Sequence, residues 1–167
     1  MTNPRNCSGS LLKKKEHMNQ IKEKLYKACE VYVEERIKRI ETALAGLESD
    51  LENETKSSAG DKYETGREMI NLEINKLTEQ LQQFKNLKNT LIVAKNRMNT
   101  SSAQLGTAVK TNIANYFIAI PANRIIVDGD EYFAIGANSP IAQLLLHKKA
   151  GEEITFNGKS ATIQEVF

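Results

Sequence analysis

Ile21, Leu25, Cys29, Val33, Ile37, Ile40, Leu44, Leu47 and Leu51 recur at steps of three and four. That spacing lines up one face of a helix and predicts a single long helix from about Ser10 to Glu54, drifting toward heptad spacing in its second half. At 1.5 Å per residue it would be roughly 65 Å long. A second stripe runs from Ile70 through Leu77, Phe84 and Leu91 to Met98 and predicts a partner helix. No proline interrupts either stripe, although Gly46 weakens the first helix by roughly 1 kcal/mol relative to alanine. Two stripes of similar length on either side of a short polar segment predict an antiparallel coiled-coil hairpin over residues 1–100. Each apolar seam then buries against the other, so these residues are architecture and not a site.

The break between the stripes reads ETKSSAGDKYETGREM, Glu54 to Met69. Ser57, Ser58 and Gly60 release the first helix. Asp61 suits the first turn of the second, where the helix macrodipole favours negative charge. The tip of the hairpin is therefore expected near residues 55–64.

After Asn99 the pattern changes. Thr100-Ser101-Ser102 forms a joint, and strands are expected at Ala108–Lys110, Ala114–Ile120 and Glu131–Ile135, with Asp128-Gly129-Asp130 as a turn. Ser139-Pro140 opens a helix, serine as N-cap and proline at the first helical position. That helix presents Ile141, Leu144 and Leu145 to a core, has His147, Lys148 and Lys149 in its last turn, and ends at Gly151. Asn157-Gly158 predicts a two-residue hairpin turn between strands Glu152–Phe156 and Lys159–Val166. Residues 101–167 thus form a small antiparallel sheet domain with one helix, and the fold class is α+β.

Composition adds an asymmetry. Arg5, Lys13, Lys14, Lys15, Lys22, Lys24 and Lys27 face only Glu16 and Glu23 in the first 27 residues. Glu41, Glu48, Asp50, Glu52, Glu54, Asp61 and Glu64 face only Lys56 and Lys62 around the break. The basic end is either a solvated face or a surface for nucleic acid or an acidic partner. Cys7 and Cys29 form no ligand set or disulfide framework and read as free thiols in a reducing compartment. With no signal-peptide pattern and no apolar run near ~20 residues, the expectation is a cytoplasmic protein without a membrane partner. His17 and His147 stand far from any nucleophile arrangement, and there is no phosphate-cradling glycine loop or zinc spacing. Any chemistry must come from carboxylates assisted by a partner.

The segment NSPIAQLLLHKKAGEEITFNGKSATIQEV, Asn138 to Val166, resembles the C-terminal domain of GreA/GreB-type transcription elongation factors. Ser139-Pro140-Ile141-Ala142, Leu145, Lys148 and Gly151-Glu152-Glu153 carry the likeness. Upstream, a second hairpin helix that begins near Tyr63, with Arg67 four positions on, fits as well. The resemblance implies a coiled coil on an FKBP-like domain. It also implies an accessory factor with no enzymatic activity of its own. The domain would dock at the rim of the RNA polymerase secondary channel, around Ser139, Pro140 and Ile141, while the acidic tip reaches the polymerase active site. There the carboxylates would share a Mg²⁺ ion with the polymerase, without holding a metal stably alone, and stimulate cleavage of backtracked RNA.

One departure stands out. In that family two acids three residues apart precede Asn-Ala and the tyrosine. Aligned on Tyr63 and Arg67, those positions hold Lys56 and Ala59. Asp61 and Glu64 keep the spacing but shift into the second helix, with Glu52 and Glu54 on the other side. Asp61 and Glu64 are the candidate metal-proximal pair, set against ordinary first-turn helix acids. Glu52, Glu54, Tyr63 and Arg67 support the tip, by packing or by pairing charge. Two other functions remain open: a channel-occupying regulator that does not promote cleavage, and a stand-alone FKBP-like prolyl isomerase. The aromatics of the C-terminal half look sufficient only for its own core, which disfavours the isomerase.

Overall fold

A computed structural model of the chain describes residues 7–56, 61–97 and 101–167, with side chains for 11–53, 64–97 and 101–167. Helix α1 spans Cys7–Lys56 and helix α2 spans Asp61–Lys95. Six strands and one short helix follow: β1 (Ala108–Thr111), β2 (Asn115–Ala119), β3 (Arg124–Val127), β4 (Asp130–Gly136), α3 (Pro140–Leu145), β5 (Glu153–Phe156) and β6 (Lys159–Val166). The chain is an α+β protein in which α1 and α2 pack against each other as a hairpin. It forms two compact units, Val31–Asn89 and the combination of Met1–Glu30 with Thr90–Phe167.

The described residues of the Val31–Asn89 unit belong to α1 and α2. Residues 31–56 of α1 cover roughly 39 Å at 1.5 Å per residue. Val33 and Ile40 are fully buried, while Leu44, Leu47 and Leu51 are half-buried, as are Ile70, Ile74, Leu77, Leu81, Phe84 and Leu87 of α2. Only one helix covers each seam here, so burial is incomplete. Lys88 reaches Glu34 at 3.1 Å and Lys85 reaches Glu41 at 4.0 Å, the numbering falling on α2 as it rises on α1, as antiparallel packing requires. These exposed pairs add little, with a median near 0–1 kcal/mol for their kind.

The other unit is built on a sheet of order β3-β4-β2-β1-β6-β5. Its pairs are antiparallel except β2–β4, which run parallel. The parallel pair arises because β3, absent from the strands the sequence predicts, reverses the chain before β4 inserts between β3 and β2. β3 is an edge strand with Ile126 66% exposed, so its RIIV sequence lacks the alternation that marks a half-buried strand. One face of the sheet takes α3 and a core of Val109, Ile118, Ile141, Ala142, Leu145 and Ile163. Phe117, on the neighbouring position of β2, meets Tyr26 of α1 edge-on.

α3 is shorter than the sequence suggests. It ends at Leu145, Leu146 caps it, and His147 turns into the left-handed region with φ 68°. His147, Lys148 and Lys149 therefore lie beyond the helix and not in its last turn. Lys148 instead pairs with Glu152, whose carboxylate also accepts from the Lys149 amide at 2.7 Å. No helix of the described residues is long and apolar enough to cross a membrane.

Candidate functional site

Helix geometry gathers the acids of the break onto two helix ends. Glu52 and Glu54 lie in the closing turns of α1, and Asp61 and Glu64 lie in the opening turn of α2. A three-residue spacing places Asp61 and Glu64 as neighbours on one helix face. The amide-rich start of α2 favours negative charge there. Glu52, Glu64 and Arg67 are exposed, and Arg67 follows Glu64 at the same three-residue spacing. Residues 57–60, including Ala59 and Gly60, fall outside the described residues, as do the side chains of Glu54, Lys56, Asp61 and Tyr63.

Among the described residues no three His, Cys, Asp or Glu side chains come close enough to hold a metal ion. Mg²⁺ demands near-octahedral oxygen coordination at 2.0–2.1 Å. Glu52 and Glu64, the described carboxylates of this end, do not meet that requirement by themselves.

The three docking candidates separate in the structure. Ser139 is the N-cap of α3, and its Oγ accepts from the Ala142 amide at 3.3 Å. Ile141 is buried in the sheet core. Pro140, at the first helical turn, is exposed, and so is Leu144 four positions on. Of the three, Pro140 presents surface, whereas Ser139 and Ile141 hold the helix and the core in place; Leu144, which the spacing assigns to the core face, is instead 40% exposed beside Pro140, and Ala142 takes the buried position.

Tyr26 lies outside the residues singled out from the apolar spacing. Its ring packs on Phe117 with centroids 4.9 Å apart, and its hydroxyl, which has one proton to donate, lies 2.8 Å from the Ala94 carbonyl and 3.1 Å from that of Gly106. Burial pushes the phenol well above its ordinary pKa, with lesser contributions from Glu23 and Cys29. The available signal was the width of the stripe. Tyr26 adjoins Leu25 and so gives α1 a second apolar face near its start. Cys29, one turn on, is buried, and desolvation pushes its thiol up to about 12.

No protein-family model matches the chain, and no curated protein matches it.

Proposed function

We propose that the protein is an accessory factor of RNA polymerase. Its hairpin end enters the secondary channel and stimulates the polymerase's own cleavage of backtracked RNA. The observation that carries this reading is the placement of Asp61 and Glu64 in the first turn of α2, across the break from Glu52 and Glu54 at the end of α1. Glu52 and Glu64 are exposed and take no part in the apolar seam. The resemblance of Asn138–Val166 to the GreA/GreB-type domain supports the same assignment. The chain would be a bacterial, cytoplasmic transcription protein on an FKBP-like scaffold, not an enzyme alone.

In this reading the carboxylates meet an ion and an RNA end that belong to the polymerase. Their part is to add oxygen ligands or orient a water; the remaining coordination comes from the larger enzyme. Pro140 and Leu144 offer the exposed docking surface near the channel rim, and the basic start of α1 is available to nucleic acid. Lys56 and Ala59, which occupy the family's usual acid positions, favour a second reading in which the factor fills the channel without promoting cleavage.

The deciding experiment measures RNA cleavage in stalled, backtracked complexes of the cognate polymerase with Mg²⁺, using wild type and an Asp61→Asn/Glu64→Gln variant that still binds. Stimulation by wild type with loss in the variant is the expected result. Equal stimulation by both moves the chemistry to Glu52 and Glu54. Binding without stimulation leaves the channel-filling regulator.

A further inference from the structure

Two turns of the sheet set a left-handed residue before a glycine: Asp128-Gly129, with φ 53° and 90°, and Asn157-Gly158, with φ 50° and 75°. The second joins β5 to β6 and is closed by the Phe156–Lys159 pair. Asn157 and Gly158 are both exposed, and a Cβ added at Gly158 would meet nothing within 4 Å. In a two-residue turn the closing pair exchanges its own backbone groups, and the second turn amide stays outside the ladder. Among the described residues, neither the Gly158 amide nor the Asn157 side chain is engaged in a hydrogen bond.

That combination is reactive. The backbone nitrogen after an asparagine can attack the side-chain carbonyl carbon when nothing crowds or holds it, and glycine, lacking Cβ, crowds it least. Every other asparagine of the chain precedes a residue that has a Cβ. Asn138 is exposed as well, but the amide after it, that of Ser139, donates to the Gly136 carbonyl at 3.0 Å. Asn112 Oδ1 accepts from the Thr162 amide at 2.9 Å, and Asn115 Nδ2 donates to the Glu131 carbonyl at 3.0 Å. Asp128 does precede a glycine, but its ionised carboxylate is paired with Lys24 and resists nucleophilic attack.

We propose that Asn157 is a site of spontaneous modification, at which the Gly158 amide converts the asparagine to isoaspartate and so loosens the edge strand β5. The Gly158 nitrogen gives its proton to solvent base and bonds to Asn157 Cγ. The Cγ–Nδ2 bond breaks, and the side-chain nitrogen leaves as ammonia. The product is a five-membered cyclic imide. Water then adds to one of its two carbonyl carbons, and the C–N bond at that carbon opens. Opening at the side-chain carbon gives aspartate; opening at the main-chain carbon gives isoaspartate, with the backbone routed through Cβ. The extra methylene lengthens a turn whose length fixes the register of its strands. β5 is poorly secured against that change: it lies at the sheet edge, pairs only with β6, and has Ile154 as its one buried residue.

The test is incubation of the full-length chain at physiological temperature and mildly alkaline pH, followed by peptide mapping. Cleavage after lysine releases Ala150–Lys159, whose only asparagine is Asn157. This peptide should be the first to gain the mass of an amide-to-acid exchange and should become a substrate for an isoaspartyl methyltransferase. Asn157→Gln, whose imide ring would be one atom larger, should lose both signals. In the aged protein, hydrogen exchange at the β5 amides should be faster by about tenfold or more while β2 and β4 stay protected. Freshly prepared Asn157→Asp carries the new charge on an unaltered main chain and should keep the protection of the wild type. Earlier conversion at another asparagine overturns the proposal, and so does conversion of Asn157 in denaturant but not in the folded chain. Unchanged β5 exchange after conversion, or lost protection in fresh Asn157→Asp, overturns the loosening by isoaspartate. No readout involves polymerase, so the cleavage reading stands or falls separately.

Discussion

Tyr26 meets Phe117 edge-on, with ring centroids 4.9 Å apart and planes at 89°. The contact joins a residue of the long helical pattern to the centre of the sheet. Aromatic pairs in this arrangement contribute about 0.5–1.5 kcal/mol beyond the area they bury. The same tyrosine hydroxyl ties the end of α2 to the segment that leads into β1, through the carbonyls of Ala94 and Gly106. One side chain of α1 therefore holds two stretches that lie 68 and 80 residues further along the sequence.

Tyr26→Phe keeps the ring contact and removes the hydroxyl proton that those carbonyls share, although the Ala94 carbonyl keeps the Arg97 amide at 3.3 Å. A buried acceptor left without its donor costs about 1–3 kcal/mol. Chemical denaturation should show a loss in that range with the denaturant slope unchanged. A loss below about 0.5 kcal/mol, the lower bound for an ordinary hydrogen bond, would mean the carbonyls find other donors.

Gly106 has φ 94°, and a Cβ there would collide with the Ala94 carbonyl oxygen and come within 2.8 Å of the Tyr26 hydroxyl. Gly106→Ala combines a left-handed backbone, costing about 1–3 kcal/mol for residues other than glycine, with displacement of the Tyr26 bond. It should destabilise the protein more than Tyr26→Phe does. In the double variant the two losses should fall short of additivity, because both act on one hydrogen bond. Additive losses would disconnect the glycine from the tyrosine.

Much of this architecture is legible in the residues themselves. The seams on α1 and α2 follow the three-and-four spacing, and the tight turns are written as Asp128-Gly129 and Asn157-Gly158. All four of these residues have positive φ, as two-residue hairpins require. What escaped has physical reasons. β3 is a short edge strand with an exposed isoleucine, which no periodicity flags. α3 stops early because Leu146 leaves the helical backbone at ψ 136° and His147, which is not a glycine, then turns left-handed, neither of which composition announces. At the break, the acids and their helix-end positions are readable because helix boundaries and charge are local properties. The burial of Lys22 is not, because it looks like any lysine of a basic helix until tertiary packing covers it.

Cys29 makes alkaline stability a test of the packing on α1. Its thiol titrates near 9.0 when free and at about 12 in the folded chain, through desolvation. Below pH 9 both states hold the proton and the full stability is present. Between pH 9 and 12 only the unfolded chain releases it, so stability falls as pH rises, by up to ~1.4 kcal/mol per unit. The buried Tyr26 phenol acts in the same direction from about pH 10 upward, where the unfolded chain begins to release its proton. Denaturation series from pH 8 to 11 should show the decline, and Cys29→Ala should have a lower baseline but a shallower slope. An unchanged slope in the variant would remove Cys29 as its source.

Around α3, stability and docking should separate by residue. Ile141→Ala opens the sheet core and should cost about 2–5 kcal/mol, and Ser139→Ala removes the cap for about 0.5–2 kcal/mol. Leu144→Ser changes an exposed position and should leave the melting temperature nearly unaltered. If this surface docks on polymerase, Leu144→Ser alone among the three weakens binding measured with a fully folded sample. Retained affinity in that variant would move the docking surface elsewhere on the domain.

The acids at the break give the opposite pattern from the core. Glu64 is exposed in the first turn of α2, and Asp61 opens that turn. Their neutralisation removes favourable charge from a helix N-terminus, worth about 0.3–1 kcal/mol for each group and screened by salt. Asp61→Asn/Glu64→Gln should therefore lower thermal stability only slightly, and by less as salt is raised. Loss of stimulated RNA cleavage with this small, salt-sensitive change in melting would assign the carboxylates to function. A large, salt-insensitive fall in melting temperature would show that they hold the hairpin end together, and any loss of cleavage would then follow from the damaged fold.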